Sequence, residues 1–185
     1  METLQHLTRT ELDAGMDHIL QSPREQGVLD MIVRRPAEDE RDEVQTAVLD
    51  LDLGLVGDNW KIRGSKHTPD GSANPEAQIT LMNSRAIALI AQTQDRWSLA
   101  GDQLYVDFDL SEENLPVGSR LAIGSAVVEI SAKPHTGCVK FSNRFGVDAH
   151  KFVNSKAGSP LRLRGVNTRV VRGGEIRIGD VVRKV

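Results

Sequence analysis

The only cysteine of the chain lies in a segment that carries several groups able to take part in chemistry. Lys133, His135, Cys138 and Lys140 lie close together in the sequence, and Arg144 follows soon after them. Positive charge near a thiol favours the thiolate, which is the form that attacks sulfur and binds metals. A histidine has the same effect when charged, or can transfer a proton. We therefore predict a reactive site at Cys138, with Lys140 and His135 as its catalytic neighbours.

The backbone around the cysteine is predicted from its proline and glycine residues. Pro134 and Gly137 place Cys138 on a loop or at the start of a strand. If the segment after Cys138 is extended, Lys140 lies on the same face as the sulfur. Gly137 would also let a ligand or a second protein approach the sulfur closely. At this point the alternative that Cys138 is a small buried hydrophobic residue stays open.

Cysteine usage and the apolar pattern bear on the compartment. A single cysteine cannot form an internal disulfide, so nothing in the sequence indicates an oxidising environment. The first ten residues include Glu2, His6 and Arg9 and lack the apolar run of a secretory signal. The longest apolar stretch, 86–91, is far too short to span a bilayer. We therefore expect a cytoplasmic protein without a membrane segment.

Basic residues are concentrated in the C-terminal part of the chain. Residues 133–185 hold 12 Lys and Arg against three acidic residues, a balance of +9 in a chain whose total is −3. Two explanations stay open, namely a solvated surface and a binding site for an anion. We do not expect that anion to be nucleic acid. The basic residues are not interleaved with aromatics, and no helix-turn-helix, zinc-finger or RNP pattern occurs.

Short strands dominate the predicted secondary structure. Alternation or strand-like composition predicts them over 28–34, 46–53, 79–82, 103–110, 120–123, 126–131, 162–164, 168–171 and 181–183. Helices are predicted from the capping box at Thr8 to Gln21, over 84–92 and over 148–154, with a long loop at 61–76. Gly173-Gly174 predicts a hairpin. Because strands and helices do not alternate strictly, we predict a mainly β fold with peripheral short helices, closed or partly closed as a barrel.

Several short motifs follow one another in a characteristic order. They are Gly54-Leu55-Val56-Gly57-Asp58, Glu113-Asn114-Leu115, Gly118, Ile123-Gly124, Val128 to Ser131, Arg144-Phe145-Gly146 and Ile178-Gly179-Asp180. Together they resemble the MOSC domain family, named after the C-terminal domain of molybdenum-cofactor sulfurases, and Cys138 falls where that family's cysteine is expected. The resemblance covers roughly residues 28–185. One departure is Gly137, since many members have proline directly before the cysteine.

The resemblance implies a domain organisation and a set of site residues. It implies a single MOSC domain over 1–185, with a helical extension at 1–27 and a β-barrel core at 28–185. Cys138 would bear a persulfide or, if molybdenum is bound, coordinate the metal. The remaining site residues would hold the anionic cofactor: Arg144 and Lys140 at its phosphate, with Arg35, Lys133 and Asp58 as further candidates.

Three functions are compatible with these residues. The first is a sulfur carrier or transferase, which takes sulfur from a cysteine desulfurase or another donor protein and passes it to the molybdenum cofactor or a cofactor-bearing acceptor. The fused sulfurases of the family carry a pyridoxal-phosphate desulfurase domain, for which this chain has no room, so we expect no pyridoxal phosphate site.

The second function is a molybdenum-cofactor oxidoreductase in which Cys138 is a soft thiolate ligand and His135 or Asp58 transfers protons. Family members that reduce N-hydroxylated compounds have an additional N-terminal domain, whereas only about 27 residues precede the core here. The third function is a non-catalytic binding module for a cofactor or partner. The sequence leaves the acceptor and the oligomeric state open.

Overall fold

The computed structural model describes residues 4–185, which form a β-barrel with helices packed against its outside. The strands of these residues are β1 (Gln26–Arg34), β2 (Asp42–Val44), β3 (Thr46–Asp50), β4 (Gly54–Leu55), β5 (Ile79–Asn83), β6 (Leu104–Asp107), β7 (Arg120–Ile123), β8 (Ala126–Ile130), β9 (Val166–Arg172), β10 (Gly174–Arg177) and β11 (Val181–Lys184). The helices are α1 (Arg9–Ala14), α2 (Met16–Leu20), α3 (Trp60–Arg63), α4 (Ser84–Ala91), α5 (Val139–Phe145) and α6 (Val147–Val153). None of the helices in this described part of the chain is long and apolar enough to cross a membrane.

Seven strands close the barrel. Their order is β11-β7-β8-β9-β5-β6-β1, and β1 pairs back onto β11, while β2 extends the sheet from β1. The pair β5–β6 is parallel, and the other pairs are antiparallel. A parallel pair needs a long crossover, which α4 and the 3₁₀ helix Gln94–Ala100 provide. The architecture confirms the predicted mainly β barrel with peripheral short helices.

Two hydrophobic cores share the barrel wall. Leu29 and Ile32 of β1 point into the barrel, where they join the interior cluster. Met31 and Val33 of the same strand belong to a second cluster between the barrel and the helices. A register shift between Leu29 and Met31 accompanies this change of side. Because β1 is buried on both faces, its sequence does not show the clean alternation of a half-buried strand.

The prediction of a hairpin at Gly173-Gly174 was wrong. Strands β9 and β10 are consecutive but do not pair, since both edges of β9 are already occupied by β5 and β8. Strand β10 pairs instead with β3, in a small sheet of order β10-β3-β4. The two glycines therefore carry the chain from one sheet to the other.

Three other local predictions were corrected by tertiary structure. The strand predicted over 46–53 ends at Asp50, whose carboxylate accepts hydrogen bonds from the backbone N–H groups of Asp52 and Leu53 and so fixes a turn. The N-terminal helix is divided at Gly15 into α1 and α2, although its capping box at Thr8 is present. The loop predicted over 61–76 contains most of α3, with Trp60 buried at its start.

The strand predicted over 162–164 is absent, because this segment forms turns. Arg162 adopts a left-handed backbone with φ of 49°, and the N–H of Gly165 donates to its carbonyl oxygen at 2.8 Å. This tight turn leads the chain into β9.

The second core can be tested on α6, where Phe152 is fully buried and Val147 is exposed. We expect Phe152→Ala to lower the free energy of unfolding by about 3–5 kcal/mol, because it removes a large buried ring and leaves a cavity. Val147→Ala on the same helix should change it by less than about 0.5 kcal/mol. Urea denaturation followed by circular dichroism measures both values. Equal losses in the two variants would contradict the described packing.

Candidate functional site

Cys138 is the residue at which α5 begins. Its backbone is extended, and its carbonyl oxygen accepts the first helical hydrogen bond from the N–H of Ser142 at 3.0 Å. The segment after it is therefore helical, so of the two predicted placements Cys138 lies at the end of a loop and not at the start of a strand. Burial of Phe141 and Phe145, one helical turn apart with ring centroids 4.9 Å apart, accounts for the helix. The thiol itself is exposed, so the alternative of a buried hydrophobic cysteine is also wrong.

Gly137 holds the cysteine loop against α6. Its N–H donates to Asn154 Oδ1 at 2.9 Å, and its carbonyl oxygen lies 3.2 Å from Asn154 Nδ2 and 3.1 Å from His150 Nε2. A Cβ atom at position 137 would lie 2.9 Å from Asn154 Nδ2 and 3.0 Å from Val153 Cγ2. The glycine thus serves close packing of two chain segments, and the space beside its Cα is already filled by α6.

The exposed thiol borders a cleft of about 420 Å³, hereafter the cysteine cleft. Its charged lining consists of Arg35, Arg41, Arg63, Lys140, Arg144, Arg164, Glu38 and Asp39, and His135 also borders it. Six permanent cations therefore face two carboxylates. This excess of positive charge is the arrangement expected of an anion-binding site.

Arg35 is fixed by a buried ion pair with Asp58. Its Nε and backbone N–H donate to Asp58 Oδ1 at 2.9 and 2.8 Å, and its Nη2 donates to Oδ2 at 2.7 Å. Asp58 Oδ2 also accepts from the N–H of Trp60 at 3.1 Å, which joins α3 to the end of β1. The Asp58 side chain is fully buried, so it lies beneath the cleft and orients Arg35 from below.

Lys140 and Arg144 are paired with the acidic loop at Glu38 and Asp39. Lys140 Nζ lies 2.9 Å from Glu38 Oε1, and Arg144 Nη2 lies 2.8 Å from Asp39 Oδ1. The hydrogen bond to Glu38, together with Asp39, raises the pKa of Lys140. The two carboxylate side chains are 81% and 61% exposed, so these ion pairs sit at the open edge of the cleft. Such exposed pairs contribute little to stability.

Arg41 and Arg63 form no ion pair with a carboxylate within residues 4–185. Arg41 donates to the carbonyl oxygens of Ser98 and Glu40 at 3.1 and 2.6 Å. Partial burial lowers the pKa of Arg41, and the charge of Arg144 lowers it further. The pKa of Arg63 is likewise lowered, mainly by partial burial and next by the charge of Arg35. Their charge is therefore compensated incompletely by the protein, which leaves it available to an anion.

His135 and Arg164 are held by one buried carboxylate, that of Asp102. Asp102 Oδ1 lies 2.8 Å from His135 Nε2, and Oδ2 accepts from Arg164 Nη1 at 2.5 Å. Arg164 also donates to the carbonyl oxygen of Ala100 at 2.8 Å, and its guanidinium lies 5.0 Å from the centre of the Phe141 ring. Asp102 is fully buried and does not border the cleft, so it fixes His135 and Arg164 from behind as a rigid wall.

The charges of this group follow from its burial. Burial acts to raise the pKa of Asp102, but Arg164 and His135 outweigh it and lower the pKa to about 2. Burial and Arg164 lower the pKa of His135, and Asp102 acts in the opposite direction. His135 is therefore neutral at pH 7. Because an ionised carboxylate only accepts hydrogen bonds, the His135 proton lies on Nε2, which leaves Nδ1 as a base.

A second cleft of about 440 Å³ lies on the other side of this wall. It is lined by Lys133, Ser131, Arg162, Asn154 and Val153 among others, and it shares His135 and Arg164 with the cysteine cleft. Lys133 is therefore separated from the cysteine, although only four residues lie between them in the sequence.

The structure brings together five of the residues predicted from the sequence. Cys138, His135, Lys140, Arg144 and Arg35 all line the cysteine cleft, whereas Asp58 lies under it and Lys133 lines the second cleft. Sequence analysis missed the other residues that shape the site, namely Asp102, Arg164, Arg41 and Arg63. The excess of basic residues after position 133 is the signal that could have drawn attention to Arg164, and no local motif marks the others.

Comparison with known proteins agrees with this architecture. The sequence profile of the MOSC domain matches residues 68–183. The chain is similar in structure to the YuaD protein from Bacillus subtilis, with a TM-score of 0.63, 14% identity and coverage of 85% of this chain and 94% of that one. YiiM from Escherichia coli and YiiM from Geobacillus stearothermophilus both give a TM-score of 0.54 at 16% identity, covering 85% and 86% of this chain and 69% and 73% of theirs. At these identities the likeness establishes the fold. No curated protein matches the sequence significantly.

The buried ion pair makes a pH-dependent contribution to stability. The pKa of Asp102 falls from an ordinary 3.8 to about 2 on folding. Its contribution to the free energy of unfolding is therefore present above pH 3.8 and is lost as the pH falls toward 2. We expect Asp102→Asn to lower the free energy of unfolding at pH 7 by about 3–5 kcal/mol, since Arg164 loses its counter-charge. Urea denaturation at several pH values should show that the difference in free energy of unfolding between Asp102→Asn and the unaltered protein becomes smaller at acid pH. A gap that stays constant down to pH 2 would contradict the pairing.

The protonation state of His135 can be measured directly. We expect a titration midpoint below 6.5 for His135 by ¹³C-resolved NMR of the imidazole. Asp102→Asn should lower the midpoint further, because Asp102 raises the pKa of His135 in the intact site. His67, on an exposed loop, provides the internal control. An upward shift in the variant would show that Asp102 does not act on His135 as described.

Proposed function

Because this chain belongs to the MOSC domain family, we propose that it carries sulfur as a persulfide on Cys138 and transfers it to an acceptor. MOSC domains are associated with sulfur and molybdenum-cofactor chemistry at the level of the family. The observation that carries the proposal is an exposed thiol at the edge of a cleft lined by cations. The exposed position allows a donor protein to reach the sulfur, and the cations of the cleft attract an anionic acceptor.

The proposed loading step is a thiol–persulfide exchange. The Cys138 thiolate attacks the outer sulfur of a persulfide on a donor protein, for which a cysteine desulfurase is our candidate. A new S–S bond forms at Cys138 while the S–S bond of the donor breaks, and the donor cysteine leaves as a thiolate. The number of disulfide-type bonds is unchanged, so the step needs no external oxidant. Unloading repeats the exchange with a thiolate of an acceptor protein, which we propose to be one that bears the molybdenum cofactor: the acceptor thiolate takes the outer sulfur, and Cys138 leaves as a thiolate.

His135 is the proposed proton acceptor for this exchange. It borders the same cleft as Cys138, and its neutral imidazole keeps an unprotonated Nδ1 because Nε2 faces Asp102. We propose that it takes the proton of the Cys138 thiol before the attack. Asp102 is a positioning residue, since it fixes the ring and its tautomer without bordering the cysteine cleft.

Lys140, Arg144, Arg41 and Arg63 are the proposed holders of the anionic acceptor. The first two must exchange their carboxylate partners for the ligand, whereas Arg41 and Arg63 are not engaged by carboxylates of the described chain. Guanidinium groups bind phosphate with two parallel hydrogen bonds, which suits a phosphate-bearing cofactor. We place this chemistry in the cytoplasm, where a single exposed thiol stays reduced.

The same residues favour a second candidate function, a molybdenum-cofactor oxidoreductase. A soft thiolate beside phosphate-binding cations fits a cofactor that joins a metal to a phosphate group. Cys138 would then be the protein ligand of molybdenum, and the arginines would hold the phosphate. When bound, the cofactor supplies the redox centre, and His135 moves a proton at the cleft.

The carrier proposal is tested by intact mass spectrometry after incubation with a cysteine desulfurase and free cysteine. We expect the unaltered protein to gain the mass of one sulfur, because Cys138 accepts it, and to lose it on reduction with dithiothreitol. Cys138→Ser should show no gain. Val139→Ser, a substitution at the neighbouring exposed position, is the matched control and should behave like the unaltered protein.

Absence of a gain in the unaltered protein would contradict the carrier proposal. Metal analysis then tests the second candidate, after expression in cells that make the molybdenum cofactor. Molybdenum that purifies with the unaltered protein and is lost in Cys138→Ser would support the oxidoreductase. Molybdenum in neither protein would contradict it.

A further inference from the structure

The second cleft carries its own set of cations. Lys133, Arg162 and Arg164 line it, against Glu112 as the single carboxylate contributed by residues 4–185. Asp102, which neutralises part of the charge of Arg164, lies behind the wall and does not border this cleft. The cleft therefore has a positive potential that its own lining does not balance.

Arg162 is held in a conformation that costs energy. Its φ of 49° lies in the left-handed region, which is unfavourable for residues other than glycine. Its Nη1 donates to the carbonyl oxygens of Leu110 and Leu115 at 3.1 and 2.7 Å, so one edge of the guanidinium is anchored. The anchoring fixes a charged group at the border of the cleft, and it compensates for the strained backbone.

Polar groups without a protein partner gather around the same space. Arg164 is nine-tenths buried, yet its Nε–H has no hydrogen-bond acceptor within the described chain. The Ser131 hydroxyl is likewise buried and unpaired. Lys133 Nζ forms no hydrogen bond or ion pair with residues 4–185. Buried polar groups are normally satisfied, so unpaired donors beside a cationic cleft indicate a ligand that accepts hydrogen bonds.

We propose that the second cleft binds a small molecule with a carboxylate or phosphate group, at a site separate from the cysteine cleft. Lys133 and the outer edge of Arg162 supply the charge that holds this group. Pro116, Val117, Val153 and Val166 form an apolar side of the cleft, so the molecule also has a short apolar part. This proposal is independent of the persulfide proposed at Cys138.

The two clefts share two of their lining residues. His135 and Arg164 border both spaces and are joined by the buried Asp102.

The test is a titration of the full-length ¹⁵N-labelled protein with malonate and, separately, with inorganic phosphate, followed by two-dimensional NMR. We expect saturable shifts of the amides of Ser131, Lys133 and Asn154. Lys133→Ala should weaken this binding about tenfold or more, because it removes a charged hydrogen-bond donor. Two variants serve as controls: Lys156→Ala removes an exposed lysine that borders neither cleft, and Arg63→Ala removes a cation of the cysteine cleft. Neither should change the affinity measured at Ser131.

Each outcome decides the proposal. If only malonate saturates the site, the ligand is a carboxylate, and if only phosphate does so, it is a phosphate. If both anions saturate it, the site accepts either group. The proposal is overturned if neither anion shifts these amides saturably. It is also overturned if Lys133→Ala and Lys156→Ala have equal effects, which would mean nonspecific attraction, or if Arg63→Ala abolishes the shifts, which would place the anion in the cysteine cleft.

Discussion

The burial of one carboxylate, that of Asp102, determines how the site is assembled. An ionised carboxylate cannot be taken out of water unless donors replace its hydration. Asp102 precedes β6 at the barrel wall, and its donors come from two distant parts of the chain, His135 before α5 and Arg164 in the turn before β9. Satisfying this one group therefore draws the cysteine loop and the turn at 162–165 onto the barrel. The wall between the two clefts is a direct result.

The barrel supplies a fixed frame for this arrangement. Arg35 stands at the end of β1 and is held by the buried Asp58, so a second buried pair fixes the opposite side of the cysteine cleft. Helix α5 is held by Phe141 and Phe145 in the outer core, and Cys138 is its N-cap residue. The Cys138 thiol is thus exposed, while α5 and Arg35 beside it are anchored by buried groups. The buried groups stabilise the site, and the Cys138 thiol stays accessible to other molecules.

The barrel and part of the site could be predicted from the sequence, because the patterns that mark them lie within short segments of the chain. Alternation along β6 and the strand-like composition of β8 are local, so these strands could be recognised from their own residues. The cysteine segment could be found because His135, Lys140 and Arg144 are neighbours in the chain. Asp102 lies 33 residues from His135 and 62 from Arg164, and such a pairing leaves no local pattern. The same limit explains the error at Gly173-Gly174, where the partner of β10 is set by which sheet edges are free.

The acidic loop at Glu38 and Asp39 has a consequence for selectivity. Lys140 and Arg144 are already compensated by these carboxylates, so an anion that enters the cysteine cleft exchanges one set of ion pairs for another. A monovalent anion gains little from such an exchange. A polyvalent anion that also engages Arg41 and Arg63 gains more, because those two guanidinium groups give up no carboxylate of the described chain. If the cleft binds anions, we therefore expect the loop to disfavour monovalent ions such as chloride relative to polyvalent ones.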